Sequence, residues 1–151
     1  MNRFRNALLN PAWICFLWAG MNIGVTMIAT PVRFTAGTIT RSIALDVGRV
    51  VFAALNKAEL AALVILLIVI RASGAAAKYW SIAAALALIV IAQSAWLGPE
   101  LADRTQMIID GIEPAKSYAH ALYSTLELLK IALLLFLGFT SLGLGAGSTR
   151  H

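Results

Sequence analysis

Residues 117–142 read SYAHALYSTLELLKIALLLFLGFTSL. Only Ile131 to Leu142 is an apolar run, and its 12 residues are too few to cross a bilayer, which takes about 20. A crossing helix must therefore begin near Ser117 or Tyr118. It then carries His120, Glu127 and Lys130 into the hydrocarbon layer. Each ionisable group costs about 2.5–3.5 kcal/mol at such depth, so these side chains need partners. Where those partners lie decides how the rest of the chain is read.

The flanking sequence supplies three further spans. Asn6 to Val32 carries no charge over 27 residues, and Tyr79 to Pro99 carries none over 21. Together with an apolar segment interrupted by Lys57 and Glu59, they predict spans at about 8–30, 50–70, 79–97 and 118–142. The whole chain of 151 residues agrees: hydrophobic residues make up 60%, charged residues 13%, and mean hydropathy is +0.83. A soluble domain has about twice that share of charge. The expected fold is a single all-α membrane domain, residues 1–151, built as a four-helix bundle in a lipid bilayer. Met-Asn-Arg-Phe-Arg resembles the start of a signal peptide. The apolar run that follows far exceeds the usual 7–15 residues, and Pro31 occupies the place of cleavage, so the segment reads as a retained span.

The net charge of +5 does not point to nucleic acid, because no basic cluster interleaves with aromatic residues. The single cysteine, Cys15, excludes an intrachain disulfide and reads as a small core hydrophobe. Gly20 and Gly24 form a Gly-xxx-Gly pair suited to close helix approach. Two connecting segments, 33–49 and 100–113, have apolar positions at helical spacing and read as short amphipathic helices at the membrane surface. Pro31, Pro99 and Pro114 punctuate their ends. The tail from Leu142 to His151 reads as a frayed end. Orientation is nearly balanced by charge. Arg3 and Arg5 before the first span, and Arg71 and Lys78 in an acid-free middle loop, favour cytoplasmic termini.

Alternating topology brings the polar residues of four spans into one half of the membrane. Arg49, Asn56 and Glu59 fall within one arc of a continued helix, with Lys57 pointing elsewhere. His120, Tyr123, Ser124 and Glu127 share a face. So do Cys15, Trp18, Asn22 and Thr26. Gln93 and Trp96 lie late in span three. The predicted cluster comprises Arg49, Asn56, Glu59, Gln93, Trp96, Arg104, His120, Tyr123, Glu127 and Lys130.

Three roles suit such a cluster. It can act as internal ties, including Arg49–Glu59 and Glu127–Lys130 pairs. It can act as a divalent-metal site of His120, Glu59 and Glu127. It can act as a proton or small-solute site. Haem is disfavoured, since His120 and the terminal His151 offer no paired axial ligands. No catalytic motif occurs, and Ser117 or Ser124 beside His120 lacks a strained presentation. No cofactor beyond a possible divalent ion is expected. The expected roles are solute, proton or metal-ion transport, aided by homo-oligomerisation, or service as an accessory subunit of a larger membrane complex.

Three blocks of the sequence carry a resemblance. The first is Pro31-Val-Arg33-Phe34 followed by Val47-Gly48-Arg49-x-x-Phe52-x-x-x-Asn56-x-x-Glu59. The second is Gln93-x-x-Trp96-Leu97-x-Pro99-x-Leu101-x-x-Arg104. The third is Pro114-x-x-Ser117-x-x-His120-x-x-Tyr123-x-x-x-Glu127-x-x-Lys130. Over roughly Leu8 to Gly138 the chain resembles a family of small bacterial four-span proteins of unknown function, related to the eukaryotic transmembrane-protein-205 type. Eukaryotic relatives carry a much longer segment between the last two spans. The resemblance implies a four-span bundle with a shared polar cluster and names no substrate.

Overall fold

The computed structural model describes residues 8–146, with side chains up to Leu142. Arg3, Arg5, Arg150 and His151 lie outside these residues. Four helices are each long and apolar enough to cross a membrane: α1 (Ala12–Arg33), α2 (Arg41–Ser73), α3 (Ala77–Ile109) and α4, which runs as Ala119–Ala146. There is no strand among the described residues.

Local chemistry sets the helix ends. Thr40 caps α2, its hydroxyl oxygen accepting from the Ile43 amide at 3.4 Å. Gly74, at φ 65°, ends α2 in the left-handed conformation that an L side chain resists, so α3 can turn back at once. α4 starts within two residues of the expected point and continues to Ala146, so the first residues of the expected frayed tail are helical.

The chain alternates direction, as its cross-helix contacts require. The Asn10 amide donates to the Ser141 carbonyl at 3.0 Å, and the Tyr79 hydroxyl donates to the Thr140 carbonyl at 3.2 Å. The beginnings of α1 and α3 thus lie beside the end of α4. Phe16 of α1 sits over Gly138 and meets Phe139 edge-on, with ring centroids 5.1 Å apart. A methyl group at Gly138 would come within 2.9 Å of the Phe16 ring, so glycine there lets α1 and α4 close. Gly20 and Gly24 have open space beside them, so neither is in close approach to another helix of this chain among the described residues. Trp18, Leu66, Ile70, Tyr79, Leu86, Leu134 and Leu137 fill the core. Leu17, Ile68, Leu88 and Phe139 are each more than 60% exposed. A bundle apolar both inside and outside has its outer face matched to lipid rather than water.

The connecting segments differ from expectation. Residues 41–49 are the first turns of α2, and residues 100–109 are the last turns of α3, so neither forms a separate surface helix. The interfacial reading assumed that prolines end helices. Pro31 and Pro99 instead each stand one residue beyond a π-helical turn, Ile23–Ala29 and Gln93–Leu97. In each turn the backbone N–H reaches five residues back, from Thr30 to Val25 and from Gly98 to Gln93. The wider turn admits the proline: α3 continues to Ile109 past Pro99, whereas α1 ends at Arg33, two residues after Pro31. Pro114 lies between α3 and α4, as the punctuation reading expects.

Candidate functional site

Lys130 of α4 is completely buried. It lies eleven residues after Ala119, about 16 Å along the helix at 1.5 Å per residue. Its ammonium contacts Glu59 of α2, lies 2.9 Å from Glu127 Oε2, and donates to Gln93 Oε1 at 2.8 Å. Lys130 and Glu127 meet because residues three apart stand on one helix face. Glu59 Oε1 also accepts from the Trp18 indole N–H at 3.0 Å and the Asn22 amide at 2.8 Å. Gln93 Nε2 donates to Glu127 Oε2 at 3.1 Å and to the Tyr123 carbonyl at 3.3 Å. All four helices therefore meet at one charged centre. Gln93 opens the π turn of α3, and Asn22 directly precedes that of α1.

The centre holds two carboxylates and one ammonium. With all three ionised, its formal charge is −1. Two buried acceptors, Glu127 Oε1 and Asn22 Oδ1, have no hydrogen-bond partner among the described residues. The cluster is thus short of one positive charge and of hydrogen-bond donors.

Beside it, toward the connecting segments, lies a cavity of about 550 Å³ between α2, α3 and the start of α4, with Arg33 at its edge. Its walls include Phe52, Leu60 and Leu101 together with Arg33, Arg49, Lys57 and His120, and among the described residues no carboxylate lines it. Asn56 accepts from the Ser94 hydroxyl at 2.9 Å on its wall. The Tyr123 ring packs edge-on to Phe52, with centroids 6.0 Å apart. Tyr123 belongs to both regions: its ring lines the cavity and its carbonyl holds Gln93.

Of the ten predicted cluster residues, Glu59, Gln93, Glu127 and Lys130 come together, and Tyr123 joins through its backbone. Asn56 and His120 line the cavity instead. Arg49 does not pair with Glu59. It binds Asp46 at 2.6 Å, one turn away, and Gln106 at 3.0 Å. Arg104 donates to the Ala115 carbonyl and braces the α3–α4 loop. Trp96 is 60% exposed. Its depth late in span three puts it level with Gln93, but a π turn spreads an extra residue around the axis and leaves Trp96 outside.

The metal set of His120, Glu59 and Glu127 does not assemble. Lys130 stands between the two carboxylates, and His120 is exposed on the cavity side. Among the described residues no group of three His, Cys, Asp or Glu side chains is placed to hold a metal ion. Trp18 and Asn22 were legible as part of an inward face of span one, but not as ligands of Glu59. Arg33 stood only within the resemblance and Ser94 carried no signal, since each takes its place from helix continuation past a proline or from a cross-helix contact. No family model, curated protein or solved structure shows significant similarity to this chain.

Proposed function

We propose that this multi-pass membrane protein binds and moves a proton or small cationic solute through the Glu59–Lys130–Glu127 centre. The observation that carries this reading is the deficit in that centre. Two carboxylates face one ammonium, and two buried acceptors stand without donors. A proton or small cation remedies both shortages at once, whereas a tie built only for stability needs one carboxylate per ammonium.

Difference infrared spectroscopy on the purified protein tests it. A carboxylic-acid carbonyl band that titrates, and that Glu127→Gln removes, is expected, with proton flux in proteoliposomes lost in the same variant. A spectrum without such a band, together with no flux of protons or monovalent cations, counts against the reading.

A second reading, an accessory subunit that steadies a larger membrane complex, draws on a different observation. Lys130 is sealed from solvent and touches three side chains from three helices. Fixed-ratio co-purification with larger subunits favours it. A self-assembled homo-oligomer favours transport.

For orientation, both termini are assigned to the cytoplasmic side, supported by Arg71 and Lys78 near the α2–α3 turn and by Glu100, Asp103, Asp110 and Glu113 on the opposite side. Reporter fusions after Ser73 and after Gly111 are expected on the cytoplasmic and outer sides respectively. The reverse result inverts the assignment, and the same side for both breaks the four-span topology.

A further inference from the structure

The cavity beside the charged centre has a makeup that the charged centre does not explain. Its walls are largely apolar, its volume is in the range of small-molecule sites, and every formally charged side chain on it is cationic. These cations are not equivalent. Arg49 is engaged by Asp46 and Gln106. Arg33 is not: its Nε is buried without a partner, and its guanidinium lies 5.0 Å from the Phe34 ring centroid.

Arg33 is also deliberately seated. Gly48, buried on α2, leaves the space in which the Arg33 guanidinium rests, and a methyl group there would collide with it. Glycine inside a helix is otherwise unfavourable, so its presence at this point serves the arginine. A planar guanidinium held against a helix and facing an apolar chamber is suited to two-pronged contact with a carboxylate or phosphate. Phe52, Leu60 and Leu101 offer the remainder of such a ligand an apolar bed.

From this we infer a binding site for an anionic amphiphile, with its carboxylate or phosphate head at Arg33 and its aliphatic body in the cavity. The inference stands on the cavity and on Arg33, and holds whether or not the buried centre exchanges protons.

Native mass spectrometry of the full chain in neutral detergent, titrated with dodecyl phosphate, dodecanol or inorganic phosphate, tests it. Dodecyl phosphate is expected to form a one-to-one adduct at concentrations at least tenfold below either of the others. Arg33→Gln is expected to weaken that adduct at least tenfold while leaving dodecanol unaffected, and Arg33→Lys to recover part of the loss. Gly48→Ala displaces the guanidinium yet favours helix, so loss of binding in this variant is not loss of fold.

Equal affinity for dodecanol or for inorganic phosphate, or dodecyl phosphate binding untouched by both Arg33→Gln and Gly48→Ala, overturns the proposal. A last arm separates the sources. Phosphatidylglycerol released with the wild type but not with Arg33→Gln from mixed-lipid nanodiscs marks the bilayer as the supplier. Capture of dodecyl phosphate alone marks the aqueous phase. Both results uphold the site.

Discussion

The buried centre and the neighbouring cavity use the same kinds of side chain to opposite ends. Around Lys130, the cation is enclosed by Glu59, Glu127 and Gln93, and what remains unmatched is negative. Around Arg33, no carboxylate lines the space, and what remains unmatched is positive. The two regions are one hydrogen bond apart, from Gln93 to the Tyr123 carbonyl. Charge buried in a membrane protein is thus informative through its imbalance: a matched group holds helices together, and an unmatched one is where the proposed functions start.

The largest test of this contrast is Lys130→Met. It leaves two carboxylates facing each other in a sealed site, and a loss of about 3–5 kcal/mol is expected, the range for breaking a buried pair from one side. Thermal unfolding in detergent followed by circular dichroism measures it. A change below about 1 kcal/mol would mean that the carboxylates are already neutral or bridged by another cation.

The two carboxylates should then separate. Glu59 accepts from Trp18, Asn22 and Lys130, so Glu59→Gln weakens several charge-assisted bonds, and a loss of about 2 kcal/mol is expected. Glu127 has one oxygen without a partner, and Glu127→Gln leaves Lys130 balanced by Glu59. Its expected cost is within about 1 kcal/mol. Equal and large losses, read by the same unfolding assay, would return Glu127 to a purely structural role. The smallest effect belongs to Lys57, which is exposed at the cavity. Lys57→Met should change stability by no more than about 0.5 kcal/mol. A larger loss would show that the cavity's positive charge is balanced within the protein after all.

Much of this was legible in the sequence because lipid is an unforgiving solvent. The uncharged runs Asn6–Val32 and Tyr79–Pro99 marked two spans. The shortness of Ile131–Leu142 forced Glu127 and Lys130 inside, and their spacing of three residues set them on one face. The partner helices followed from alternation, which is why Glu59 and Gln93 were found. Arg49 was misplaced because Asp46, one turn away, outcompeted a partner ten residues further along. Trp96 and the segment 100–113 were misread for one shared reason. A π turn leaves no mark in hydropathy, and a proline after it looks like an ending. The cavity was illegible because it is an absence of atoms, and its wall is assembled from every helix in the bundle.

Gln93 has a double duty that follows from the π turn. Its side chain holds Glu127 and Lys130, while its backbone carbonyl accepts the Gly98 N–H five residues on. A methyl group at Gly98 would lie 2.7 Å from that carbonyl oxygen, so the turn needs glycine there. A π turn holds one residue more than its length along the axis requires. Removing that surplus, for instance Ala95, would let the turn close as ordinary α-helix, and the residues after it would keep their bearing. Leu101 and Thr105 would stay on the cavity wall, and Gln93 beside Lys130. The extra peptide is thus absorbed within one turn next to the buried charges, and the half of α3 that lines the chamber keeps its bearing despite it.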